Sequence, residues 1–140
     1  MDAADPDAGG QVAGSRAGKR GRLSRSAEFE RVYRHGSSTA NRHLVLYTFP
    51  NPAVDRPRLG LSVSRKVGGA VRRSRVKRLL REAFARAEEG LEGGRDVVVV
   101  ARPVIGELAE REGLAGVDAA LTDVIERAGL RAPAEHAGTR

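Results

Sequence analysis

The sequence predicts an α+β protein: a two-layer α/β sandwich of element order αβββαβα, with helices packed on one mostly antiparallel sheet. Three observations predict it. Leu44–Phe49 reads as a strand, and in Arg58–Ser64 Leu59, Leu61 and Val63 alternate with Gly60 and Ser62 at the period of a second. Val97–Ala101 is a continuous apolar run, suited to an inner strand covered on both sides. Between and around these runs, apolar residues recur at helical spacing. No internal repeat is present.

The elements follow in order. Residues 1–20 are small, polar and glycine-rich, and are expected to be a disordered tail that turns basic toward Lys19 and Arg20. A single domain is expected over 21–130, with a second disordered tail at 131–140. Ser26–His35 reads as the first helix, with Ser26 as N-cap and Gly36 closing it. Phe29, Val32 and Tyr33 share one of its faces. That face is either core or a partly open surface for stacking bases, the latter favoured by Arg31 and Arg34 beside it. Ser37–Thr39 starts a short strand. In Leu44–Phe49, Leu44, Leu46 and Thr48 face one way while Val45, Tyr47 and Phe49 face the other. The turn-rich link to Arg58–Ser64 is too short for a helical crossover, so those two strands are expected to be antiparallel.

The second helix is expected from about Ala70 to Glu89, with Val76, Leu79, Leu80, Ala83, Phe84 and Ala87 in one apolar stripe. A strand at Asp96–Arg102 follows and stops at Pro103. After an acidic loop, a third helix is expected at Val117–Ala128, with Val117, Leu121, Val124, Ile125 and Ala128 facing inward.

Charge is the first functional signal. The 140 residues carry a net charge of +7, unevenly placed. Arg16–Arg81 holds 18 Lys/Arg against three acids, for about +15. Residues 82–140 hold 7 basic and 12 acidic residues, for −5, and residues 1–15 add −3. A generic solubilising surface mixes both signs, whereas one half of this chain is suited to meeting phosphates. Arginine outnumbers lysine 22 to 3, which suits bidentate phosphate contacts, although a GC-rich genome has the same effect.

Several function classes are disfavoured. With no cysteine there is no disulfide framework, thiolate zinc site or cysteine nucleophile. No apolar run approaches the roughly 18 residues of a membrane span, and no signal peptide is evident, so a cytoplasmic protein with no membrane partner is expected. Metal-dependent phosphodiester hydrolysis needs converging carboxylates, yet the basic half offers only Glu28, Glu30 and Asp55. His35, His43 and His136 show no ligand spacing and read as lone polar residues. Gly68-Gly69 ahead of a helix reads as a tight turn needing positive φ more readily than as a phosphate cradle. The dinucleotide fingerprint and the P-loop are absent, so no small-molecule substrate is expected.

What remains is Arg65–Arg81, where eight of seventeen residues are cationic and none is anionic. A sheet with aromatics beside such a helix leans toward RNA, and no helix-turn-helix speaks for DNA. A ribosomal or RNA-chaperone-type protein on a similar sandwich would share these features.

Lys66–Arg81 closely resembles the signature K-x-G-N-A-V-x-R-N-R-x-K-R-x-x-R of the bacterial ribonuclease P protein component. Further matches are Arg22-Leu23, Phe29–Gly36, Ala40–Arg42, Leu44–Thr48 and Leu59–Arg65, so the resemblance spans about residues 20–102. Gly69 and Ser74 depart from it, standing where the family usually has Asn, and residues 1–20 exceed the family's usual N-terminal extension.

The resemblance implies a ribonucleoprotein endonuclease that removes the 5′ leader of precursor transfer RNA. The catalyst would be the RNA subunit, using Mg²⁺ held mainly by RNA, with no catalytic residue and no firmly bound metal on this chain. It also implies an unusual left-handed β-α-β crossover, where the general rule for such units is right-handed. Its positions assign Arg65, Lys66, Arg72, Arg73, Ser74, Arg75, Lys77, Arg78 and Arg81 to the catalytic RNA. Phe29, Tyr33 and Tyr47 are assigned to the cleft for the single-stranded leader, while Val32 stays core.

Overall fold

The computed structural model describes residues 26–131. The expected tail at 1–20, all of the expected tail at 131–140 but Arg131, and the expected capping role of the Ser26 side chain lie outside the described residues; Arg131 forms a β-bridge with Leu91. The elements are α1 (Ser26–His35), β1 (Ser37–Ala40), β2 (Leu44–Pro50), β3 (Arg58–Ser62), α2 (Ala70–Ala87), β4 (Arg95–Ala101) and α3 (Ile105–Ala128). Short 3-10 turns precede α2 at Arg65–Val67 and follow it at Glu88–Gly90.

The four strands form one sheet in the order β1-β2-β4-β3. β1 pairs with β2 antiparallel, and β2 with β4 antiparallel from Leu44 opposite Ala101 to Pro50 opposite Arg95. β3 pairs with β4 in parallel, Arg58 opposite Asp96 and Ser62 opposite Val100. β2 and β3 therefore run in opposite directions, as their short link requires, but they are not partners: β4 lies between them. Val97–Ala101 is the run apolar on both sides, and it takes the position where both faces are covered.

Alternation along the strands sorts side chains between two cores. Leu44, Leu46, Leu59, Leu61, Val97 and Val99 face α2 and α3, where they meet Val76, Leu80, Phe84, Leu121, Val124 and Ile125. Fully burying each such side chain contributes on the order of 1.5–3 kcal/mol. The opposite face carries Tyr47, Phe49, Val98 and Val100, and α1 lies there with Phe29 and Val32 buried against Val98. The two expected layers thus gain a single helix on the second face, because β2 and β4 are apolar on that side too.

The third helix is longer than the sequence pattern suggests. It begins at Ile105, inside the stretch expected to be an acidic loop. Glu107, Glu110 and Glu112 lie on its exposed side, while Ile105, Leu108 and Ala109, at i, i+3 and i+4, are buried. Gly113, at φ 60° and ψ −144°, kinks the helix and splits the apolar stripe into two. Among the described residues no helix is long and apolar enough to cross a membrane.

Candidate nucleic-acid interface

The cationic surface is built from the end of β3 into α2. The Ser64 hydroxyl accepts a bond from the Lys66 amide at 3.3 Å and caps the 3-10 turn that carries Arg65 and Lys66. Gly68, at φ 153°, then turns the chain, and a side chain there would collide with that of Arg72. Gly69 does not share this requirement. Its φ is −75°, and a Cβ at this position meets nothing within 4 Å. Of the two glycines, only Gly68 fits the expectation of a positive-φ turn.

α2 starts at Gly69 without a side-chain cap and without an acid in its first turn. The positive end of its dipole is therefore left among cations. Arg65, Lys66, Ser74 and Arg78 are exposed; Arg73, Arg75, Lys77 and Arg81 are half-buried. Ser74, Arg78 and Arg81 fall at i, i+4 and i+7, a ridge on the side of α2 away from Val76, Leu80 and Phe84. Val71 stands 85% exposed in the first turn of the same helix.

Arg72 behaves differently. Its guanidinium turns back to α3, with Nη2 2.8 Å from Glu110 Oε1 and Nε donating to Oε2 at 3.2 Å. Nη1 also reaches the Val67 carbonyl at 3.5 Å. The hydrogen bond from Arg72 holds the Glu110 carboxyl below its usual pKa and raises that of Arg72. Arg72 thus ties the glycine turn to α3, although its sequence position alone assigns it to RNA. Arg75 leans the same way, with Nη2 3.5 Å from the Ala109 carbonyl.

The aromatic surface lies on the other face of the sheet. Tyr33 of α1 meets Tyr47 of β2 edge-on, centroids 4.9 Å apart at 84°, and Phe29 lies 6.2 Å from Tyr33. Both tyrosines are half-buried, whereas Phe29 is only 5% exposed. The expectation of an open stacking ring at Phe29 needs correction: a ring so covered packs against Tyr33 from within the core. Helical spacing placed Phe29 and Tyr33 on one face without fixing their depth.

At one end of this face is a group that pattern reading missed. Asp96 is wholly buried. Arg58 donates to it twice, Nε to Oδ1 at 2.9 Å and Nη2 to Oδ2 at 3.1 Å. Asn51 donates through Nδ2 at 3.1 and 3.2 Å, and Arg31 of α1 through Nη2 at 3.3 Å. The Arg31 guanidinium also lies 5.5 Å from the centre of the Phe49 ring. The signal available in the sequence was an acid opening an otherwise apolar inner strand, since a buried charge demands partners.

The acids whose bonds are described are engaged by cations or amides: Asp96 as above, Glu110 by Arg72, and Asp123 by Asn41 and Arg127 at 2.9 Å each. Among the described residues no three His, Cys, Asp or Glu side chains converge as metal ligands.

A single-sheet α+β domain with a cationic helix on one face and aromatic rings on the other is, by class, a nucleic-acid-binding domain. The family model for ribonuclease P matches residues 18–125, and the chain belongs to that family, the protein components of the ribonuclease that processes transfer RNA. The ribonuclease P protein component of Shouchella clausii is 44% identical over 115 residues, 82% of this chain and 91% of the relative. That of Bacillus pumilus is 45% identical over 94 residues, 67% of this chain and 79% of the relative. Among solved structures, the RNase P protein of Staphylococcus aureus matches with a TM-score of 0.73 at 34% identity, covering 80% of this chain and 98% of that one. The Thermotoga maritima protein matches with 0.69 at 34% identity, covering 76% and 96%.

Proposed function

We propose that this chain binds the catalytic RNA of ribonuclease P with the α2 edge and grips the 5′ leader of precursor transfer RNA with the α1 face. The observation that carries the reading is the placement of the two surfaces on opposite faces of one sheet, so that one RNA does not exclude the other. Arg65, Lys66, Ser74 and Arg78, flanked by Arg73, Arg75, Lys77 and Arg81, meet the phosphates of the catalytic RNA. Arg72 supports them through Glu110. Tyr33 and Tyr47 stack on leader bases, and Phe29 holds Tyr33 in place.

Hydrolysis belongs to the RNA subunit and its Mg²⁺. The chain's contribution is to screen RNA–RNA repulsion and extend recognition upstream of the cut, which lowers the magnesium concentration required. Reconstitution with a bacterial ribonuclease P RNA at limiting magnesium tests this. Leader cleavage is expected to rise sharply when the protein is added. No stimulation at any magnesium concentration would overturn the proposal.

A further inference from the structure

The Arg31–Asp96–Arg58 group lies where α1 meets the ends of β3 and β4, on the sheet face that carries Tyr47 and Phe49. One buried carboxylate faces two guanidinium ions, and Arg58 alone, bidentate and with its side chain only 18% exposed, already matches Asp96 in charge and geometry. Arg31 adds a second positive charge through a single longer bond, yet its side chain remains 43% exposed. A long, exposed side chain ordinarily samples many rotamers. Here two contacts restrict it, Asp96 at one Nη and the Phe49 ring beneath its Cζ.

Position completes the case. Tyr47 and Phe49 are two residues apart on β2 and point to the same face, about 7 Å from each other along the strand. Tyr33 packs on Tyr47, and Arg31 on Phe49. The face therefore reads, from one end to the other, as a pair of rings followed by a ring capped by a fixed cation. A single-stranded polynucleotide offers the matching alternation of base planes and phosphodiesters. The rings without the cation would suit any flat apolar ligand, so Arg31 is what directs the site to a polyanion.

We propose that Arg31 is a phosphodiester contact for single-stranded RNA lying on the α1 face, and that Asp96 is the positioning residue that holds it there. This rests on the reading of that face as the leader site and adds to it a phosphate contact beyond the tyrosines. The test uses the full chain and an unstructured oligoribonucleotide of leader length, with binding measured as a function of salt for Arg31→Gln, Arg31→Lys and Tyr47→Ala. Arg31→Gln is expected to lower the log–log salt slope by about 0.7, the value of one phosphate contact on a single strand. Arg31→Lys restores that slope while binding more weakly than the parent, because an ammonium ion lacks the fork that spans Asp96 and a ligand. A purely structural Arg31 would give an unchanged slope. If Tyr47→Ala weakens binding while Arg31→Gln leaves the slope intact, the phosphate contact is refuted and the leader face stands. If Tyr47→Ala also has no effect, both fall together.

Discussion

Phe29 and Tyr33 share a helix face but should respond to truncation in opposite ways. Phe29 is 5% exposed and packs with Val32 and Val98. Removing such a ring costs about 3–5 kcal/mol in a full core. The lower end applies here, because this cluster is small and its rim residues are half-exposed. Phe29→Ala should therefore lower stability by about 3 kcal/mol, a large share of the roughly 5–15 kcal/mol available to a domain of this size. Phe29→Leu keeps most of the volume and should cost under about 1.5 kcal/mol. Tyr33→Ala and Tyr47→Ala each forfeit one edge-on aromatic pair, worth about 0.5–1.5 kcal/mol beyond burial. Each also removes a stacking surface worth about 1–3 kcal/mol per base, or roughly 5- to 150-fold in affinity. The assay pairs thermal unfolding with affinity of the reconstituted particle for leader-bearing and mature transfer RNA. Tyr33→Ala should reduce the preference for the leader-bearing form, and Phe29→Leu should leave it nearly intact. If Phe29→Leu erodes that preference as much as Tyr33→Ala does, the assignment of depth is wrong.

Four further outcomes are expected. Affinity for the catalytic RNA should fall roughly 10³-fold between about 50 and 200 mM salt if six or more phosphates are neutralised, and a nearly flat dependence would contradict that count. Gly69→Asn should be tolerated and gain a few tenths of a kcal/mol, since a Cβ there meets nothing within 4 Å and Asn caps a helix better than Gly; a clear drop in melting temperature would count against the open geometry. Gly106→Ala should destabilise by about 1–3 kcal/mol, because its Cβ would come within 2.8 Å of both the Val67 carbonyl and Arg72 Cδ; a melting temperature equal to the parent's would deny that close approach. His43 has its pKa lowered from 6.5, first by burial and then by Arg42 and Arg111, so the unfolded chain binds its proton more readily than the folded one. Stability should accordingly decline as pH falls through 6.5 toward the lower folded value, and His43→Gln should remove that part of the pH dependence in urea-unfolding titrations.

Much of the fold was legible because its elements obey simple periods. β2, β4 and α2 carry uninterrupted patterns, and their observed bounds differ from the expected ones by at most two residues. The first half of α3 was hidden because Gly106, Gly113 and Gly116 dilute its stripe and glutamates fill its outer face. Sheet order was not legible at all. It depends on which strand is apolar on both faces and where the β3–α2–β4 crossover returns, and neither is a local property. In the candidate site, the cations were conspicuous by number but not by role. Arg72 and Arg78 look alike in sequence, and what separates them is Glu110, 38 residues beyond Arg72.

That separation changes how the acidic second half of the chain is understood. Its net charge of −5 could be taken as counterweight to the basic half. Several of its acids instead fix particular donors: Glu110 holds Arg72, Asp96 holds Arg58 and Arg31, and Asp123 holds Asn41 and Arg127. The exposed pairs at Glu110 and Asp123 add little stability, so their value lies in orientation. An arginine tied by one edge loses rotamer freedom before a phosphate arrives and has less to lose when it does. Electrostatic asymmetry along the chain thus becomes a division of labour in space, in which acids of β4 and α3 set the geometry of arginines contributed by α1, β3 and α2.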